Sequence, residues 1–118
     1  QIEKLKLKLN KKRRLFSLYK EKFNEISSVE IIKEREKTIS NYWLVTLRIK
    51  DNDENNLLER ILQKAHNAGI FLRPAWKLLN ELPTYSKSPS GNLTESFNQS
   101  KRLINLPSSP QLIKYLNE

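Results

Sequence analysis

Arg73, Pro74 and Trp76 stand within four positions of one another in the segment Arg-Pro-Ala-Trp-Lys-Leu-Leu-Asn, residues 73 to 80. An arginine can hold a phosphate or carboxylate through two parallel hydrogen bonds. A tryptophan ring can stack on a base or a sugar. The proline between them limits the backbone and so fixes how the two project. The segment reads either as an anion- and ring-binding device or as a core tryptophan beside a solvated arginine.

Other chemistry is thinly supported. His66 falls near the end of an apolar-periodic stretch, so it is a general base or a cation complementing a helix C-terminus. Asp51, Asp53 and Glu54 cluster on a polar turn just before that stretch, where carboxylates favour the helix N-terminus. Lys11, Lys12, Arg13 and Arg14 form a basic run. It suits phosphates or anionic lipid, and equally suits a solvated helix face.

Composition removes whole classes. The 118 residues contain no Cys and one His, which leaves no thiolate or multi-histidine metal site and no cysteine nucleophile. Two Gly cannot build a glycine-rich phosphate loop. No apolar run reaches the roughly 18 residues of a membrane span, and no secretory leader follows the basic start. The chain begins at Gln1 and contains no Met, so it is expected to be a trimmed product or a piece of a longer protein. The net charge is +9, of which residues 1 to 26 carry +6.

The elements that must position these residues follow from periodicity. Ile2, Leu5, Leu9, Phe16, Tyr19, Phe23 and Ile26 recur at three- and four-residue steps, with Lys12 filling the one gap. That predicts a helix over 1–26, about 39 Å long. Its first half is expected to pack on something outside these residues. Ser27 and Ser28 end it, and Val29 to Ile32 reads as a short strand. After a charged turn, Lys33 to Lys37, Trp43, Val45, Leu47 and Ile49 alternate with Tyr42, Leu44, Thr46 and Arg48, which predicts a strand over 41–50. Leu57, Leu58, Ile61, Leu62, Ala65 and Ala68 make an amphipathic helix, with Gly69 at its left-handed cap.

Ile70 to Leu72 reads as a third strand, ended by Arg73-Pro74. All five Pro lie at or beyond position 74, and residues 83 to 92 read as a loop. Asn92 or Thr94 caps a short helix through Lys101. Leu103 to Leu106 is extended before Pro107. Ser109 and Pro110 start a final helix whose apolar side is Leu112, Ile113 and Leu116. The fold class is α+β: a small two-layer domain, a long N-terminal helix and a small, mostly antiparallel sheet covered by helices. Residues 1–26 form the linking helix and 27–118 the domain proper.

At residues 73 to 85 the chain resembles a known family. Arg-Pro-Ala-Trp-Lys-Leu-Leu-Asn-Glu-Leu-Pro-Thr-Tyr is similar to the Arg-Pro-x-Trp-Lys-Leu-Leu-His-x-Leu-Pro-x-Tyr stretch of the DegT/DnrJ pyridoxal-phosphate sugar-nucleotide aminotransferases. The bacillosamine and legionaminic acid branch looks nearest. Four more segments agree in order. They are Gln1-Ile2-Glu3-Lys4-Leu5, Ser40-Asn41-Tyr42-Trp43-Leu44, Ala65 to Gly69-Ile70, and Ile104-Asn105-Leu106-Pro107-Ser108-Ser109-Pro110. The resemblance covers nearly the whole chain.

It implies the C-terminal, substrate-side domain of a fold-type I aminotransferase. The implied parent is a cytoplasmic homodimer that moves an amino group from glutamate to a 4-keto sugar nucleotide for cell-surface glycans. The Schiff-base lysine and the pyridoxal phosphate site are implied to lie in a large domain outside this chain. No catalytic residue, cofactor or metal is therefore assigned here. Arg73, Trp76, Asn80, Asn105 and Ser108 are the implied substrate-binding residues. Asn80 stands where the family pattern usually has His, and residues 86 to 92 replace its acidic or Cys-containing loop. Either departure implies a different sugar or a degenerating copy. The alternative resting on composition alone is a basic nucleic-acid-binding module, and a membrane-surface helix ranks below it.

Overall fold

A computed structural model describes residues 2–50 and 56–115. A 3-10 turn, Ile2–Lys4, leads into helix α1, Leu5–Phe23. Strands β1, Val29–Ile31, and β2, Val45–Ile49, follow, then helix α2, Leu57–Asn67. Strand β3, Arg73–Pro74, precedes two further 3-10 turns, Leu79–Glu81 and Pro83–Tyr85. Helix α3, Thr94–Ser100, strand β4, Leu103–Leu106, and a 3-10 segment, Pro110–Tyr115, complete the described chain. The four strands form one sheet, ordered β1-β2-β4-β3, with every neighbouring pair antiparallel. The expected α+β class and small antiparallel sheet hold.

One face of the sheet is the core. Val45, Leu47 and Ile49 of β2 and Ile104 and Leu106 of β4 are buried there against Phe16 of α1. The alternation that predicted β2 puts Thr46 and Arg48 on the other face, half-buried. Leu57, Leu58, Ile61 and Leu62 of α2 close the core at its side without being fully buried. Val45, Ile49, Ile104 and Leu15 are each at most 1% exposed. Burying a side chain of this kind stabilises by about 1.5–3 kcal/mol. Leu15 and Ile113 are buried where the last 3-10 segment meets α1.

Several boundaries differ from expectation, each for a physical reason. The first helix ends at Phe23 rather than at the Ser27-Ser28 pair, and the Asn24 amide donates back to Lys20 and Glu21. Ile2 and Leu5 of its stripe are 87% and 52% exposed. Leu15, off the predicted stripe, is buried instead, because the closing segment widens the covered face. The strand predicted over 41–50 starts only at Val45. Tyr42 has φ of +45°, which breaks the extended backbone and reverses the expected phase. Tyr42 is thus buried, and Trp43 is 67% exposed.

The strand expected over Ile70–Leu72 lies at Arg73–Pro74, on the sheet edge, where proline's missing N–H costs no ladder bond. Leu103–Leu106, read only as extended, is an inner strand paired on both sides. The closing helix is 3-10 rather than α, and Leu116 lies outside the described residues, as do Gln1, Asp51, Asp53 and Glu54. Gly69 has φ of +76°, the left-handed cap that its position after α2 predicted. Asn92 Oδ1 accepts the Thr94 amide at 2.9 Å in the turn before α3, but the N-cap position is Leu93 and carries no side-chain cap bond, so neither Asn92 nor Thr94 is the cap. Among the described residues no helix is long and apolar enough to cross a membrane.

Candidate functional site

The five expected site residues fall into three places. Arg73 and Asn105 come together, because β3 pairs with β4 so that Arg73 and Asn105 are direct Cα partners. Opposed residues of antiparallel strands project from the same face, here the face turned away from Phe16. Arg73 is exposed and Asn105 is half-buried. Pairing continues one residue past the strand, since the Ala75 amide donates to Leu103 at 3.2 Å. Trp76 follows directly and is 73% exposed. It is a surface ring beside the Arg73 edge, and the core-tryptophan alternative is set aside.

Asn80 sits elsewhere, in the first of the two 3-10 turns after β3. Glu81 ties that turn together by accepting the Leu78 amide on its carboxylate at 2.9 Å. Asn80, Leu78, Leu79, Tyr85, Gly91 and Leu93 line a cleft of about 340 Å³. Asn80 Oδ1 is shielded from solvent there and has no hydrogen-bond partner among the described residues. A buried acceptor left unpaired costs about 1–3 kcal/mol. The loop of residues 86–92 that departs from the family pattern forms part of this cleft's wall.

Ser108 is built into the framework. Its hydroxyl accepts the Val45 amide at 2.8 Å and donates to the Leu106 carbonyl at 2.7 Å. It thereby supplies one further rung where the β2–β4 ladder ends at Val45 and Leu106. Its carbonyl accepts from Lys12 Nζ at 2.8 Å. Burial lowers the Lys12 amine below the ordinary lysine range.

The basic run on α1 is thus partly turned inward. Lys12 donates to the carbonyls of Tyr42, Trp43 and Ser108. Arg13 donates to the Ser40 carbonyl and pairs with Glu34 at 2.8 Å. Its guanidinium also lies 5.4 Å from the centre of the Tyr42 ring. Glu34 accepts the Ser40 amide on its other oxygen. That backbone bond, and then Arg13, hold the Glu34 carboxyl below the usual carboxylate range against the opposing effect of burial. His66, on the last turn of α2, meets the Phe71 ring edge-on at 5.5 Å.

A residue that the motifs do not single out is Thr46. It is the β2 partner of Asn105, and its hydroxyl donates to Asn105 Oδ1 at 2.9 Å. A polar residue on the outer face of an inner strand was the only available signal.

Residues 1–115 match the family model described as the DegT/DnrJ/EryC1/StrS aminotransferase family. The chain belongs to that aminotransferase family. EpsN of Bacillus subtilis (strain 168), described as a pyridoxal phosphate-dependent aminotransferase, is 31% identical over 119 aligned residues. That alignment covers 95% of this chain but only 29% of EpsN. Among solved structures, Helicobacter pylori PseC, an aminotransferase of pseudaminic acid biosynthesis, superposes with a TM-score of 0.83 at 16% identity. It matches 98% of this chain and 32% of PseC. TlmJ of Streptoalloteichus hindustanus gives a TM-score of 0.81 at 13% identity, again over 98% of this chain and 31% of its own. Both likenesses fix the fold. The chain therefore corresponds to about a third of the length of these aminotransferases. Within the Asn105-Leu106-Pro107-Ser108 segment, Asn105 faces outward beside Arg73, while Ser108 bonds inward to Val45.

Proposed function

We propose that this chain is the substrate-side C-terminal domain of a sugar-nucleotide aminotransferase, one that transfers an amino group from glutamate to a 4-keto sugar nucleotide. The observation that carries the reading is the Arg73–Asn105 pair. Two residues from separate motifs of the resemblance, 32 positions apart by their numbers, meet in register on the outer face of the sheet, Arg73 on the edge strand and Asn105 on its inner neighbour, with Trp76 three residues after Arg73. Arginine and asparagine bind anionic and carbonyl oxygens, and an exposed indole stacks on a ring. Asn80 contributes from its neighbouring turn. Ser108 acts through the framework, by setting the end of β4.

Pyridoxal phosphate would supply an electron sink and condense with a lysine amine. Lys12, the amine that burial shifts, is spent on three carbonyls, and the resemblance puts the condensing lysine outside this chain. The proposed parent holds the cofactor in a large domain that packs on this one, and it works as a cytoplasmic homodimer serving cell-surface glycan synthesis. Exposed Ile2 in the opening 3-10 turn and exposed Leu5 and Leu7 on the first turns of α1 support such a neighbour. The nucleic-acid alternative loses force, since Lys12 and Arg13 point into the fold.

The test is a chimera in which this chain replaces the matching third of EpsN, assayed for glutamate-dependent amination of 4-keto sugar nucleotides. Arg73→Ala is expected to lower kcat/KM about ten- to a hundredfold, the loss of one charge-assisted contact. An active chimera indifferent to Arg73→Ala would remove Arg73 from the pocket. A folded chimera that aminates none of these sugars would refute the reading.

A further inference from the structure

Asn105 lies between two strands, and its amide is engaged from one side. Thr46 on β2 and Arg73 on β3 are both its direct Cα partners, so the three side chains form one row across the outer face of the sheet. The Thr46 hydroxyl lies 2.9 Å from Asn105 Oδ1. An amide oxygen has no hydrogen to give, so Thr46 donates and Oδ1 accepts. What Asn105 has left is Nδ2, with its two N–H donors, and one lone pair of Oδ1. The guanidinium of Arg73 offers five more donors and no acceptor. The other carboxylate on this face, Glu30, is paired with Arg48. The row is therefore rich in donors: the N–H groups of Asn105 Nδ2 and Arg73 outnumber the lone pairs left on Thr46 Oγ1 and Asn105 Oδ1.

We infer that Thr46 is a positioning residue that holds the Asn105 amide with its N–H groups toward Arg73, creating a donor-rich row that takes a cluster of anionic oxygens. The inference rests on the proposed pocket and adds the chemistry of its occupant at this edge. The occupant is a phosphate or carboxylate group, because the row carries the Arg73 charge and an excess of N–H donors, and charge-assisted bonds to an anion are stronger than those to a neutral sugar hydroxyl. Without the Thr46 hydroxyl the amide is free to turn, and an outward Oδ1 would repel the same oxygens. The position cannot be picked out by residue type, since threonine on a strand face is ordinary. Its meaning comes from the β2–β4 register.

The test titrates this chain with inorganic pyrophosphate and, separately, with glutamate, following the side-chain amide signals of Asn105 by ¹H–¹⁵N NMR. One probe is expected to shift those signals, and which one does so separates a phosphate source from a carboxylate source. Thr46→Val, which keeps the shape, is expected to weaken that binding about fivefold. Thr46→Ser, which keeps the hydroxyl, is expected to restore it to within about twofold. Urea unfolding of each variant identifies any loss that comes from unfolding, and Thr46→Ser then carries the comparison. If Thr46→Val binds as the parent chain does, the role given to Thr46 is overturned, while Arg73 and Asn105 keep theirs. If neither probe moves Asn105 and Arg73→Ala changes nothing, the donor row is overturned. The chimera assay then decides separately whether the domain serves an aminotransferase.

Discussion

Lys12 and Ser108 lie 96 positions apart in the chain, yet the Lys12 ammonium donates to the Ser108 carbonyl at 2.8 Å. The same ammonium reaches the carbonyls of Tyr42 at 3.2 Å and Trp43 at 3.0 Å. One cation on α1 thus fastens the loop before β2 and the segment after β4. Helix α1 and the two segments that flank the β2–β4 pair are thus mechanically joined.

Replacing Lys12 by Met keeps the stem and removes the donor. The variant is expected to lose about 1–3 kcal/mol of unfolding free energy, the usual range for hydrogen bonds to a charged group. Urea denaturation measures it. Lys12→Arg is expected not to recover the loss, because a planar fork cannot meet three carbonyls gathered around one point. A Met variant within about 0.5 kcal/mol of the parent would show that the three contacts contribute nothing net.

Ser108→Ala separates a framework role from a ligand role. It leaves the Val45 amide, on a residue 1% exposed, without its acceptor. The expected cost is about 1–3 kcal/mol in stability. Binding of a phosphate or carboxylate probe at the folded protein should be nearly unchanged. Full stability combined with lost binding would reverse the assignment and move Ser108 into the pocket.

Glu34 gives the stability an acid limb. Its folded-state pKa lies below the ordinary value, chiefly through the Ser40 amide and next through Arg13. The stabilisation is therefore complete above the unfolded carboxyl's range, about pH 4.3, and disappears as pH falls through the lower folded value. Urea midpoints measured from neutral pH downward should fall in that window. In Glu34→Gln the same window should show a shallower fall, and identical profiles would rule the group out.

Helix α2 and the Gly69 cap were legible because their cause is local: an apolar repeat every three to four residues, then a glycine where φ must be positive. The sheet was legible in kind but not in detail. β4 is four residues long, too short for alternation to distinguish a paired strand from an extended linker, and only its partners make it central. Lys12 looked like a gap in an apolar stripe, and nothing in the residues from 1 to 26 says that carbonyls from 42, 43 and 108 converge on it. Arg73 and Trp76 were recognisable by type and spacing. The pairing of Arg73 with Asn105, and of Asn105 with Thr46, is set by strand register, which depends on how separate segments dock.

Tyr42 offers a test of that lost phase through an inverted ranking. Its ring is stacked on Phe16, with centroids 3.9 Å apart and planes 12° from parallel, while its backbone is held at φ +45°. The left-handed region disfavours any residue with a Cβ by roughly 1 kcal/mol, and here the stack and the Ser40 Oγ bond to the Tyr42 amide, at 3.0 Å, offset that cost. Tyr42→Ala removes the ring and keeps the strain, so it is expected to cost about 3–5 kcal/mol. Tyr42→Gly removes the ring and the strain together. Glycine is ordinarily the worse of the two by about 0.5–1 kcal/mol, because it frees the unfolded chain. At this position Tyr42→Gly is expected to be at least as stable as Tyr42→Ala in the same urea series. If alanine is clearly the more stable, the backbone at 42 adopts an ordinary extended conformation, and the strand does run unbroken from 41 as its alternation suggested.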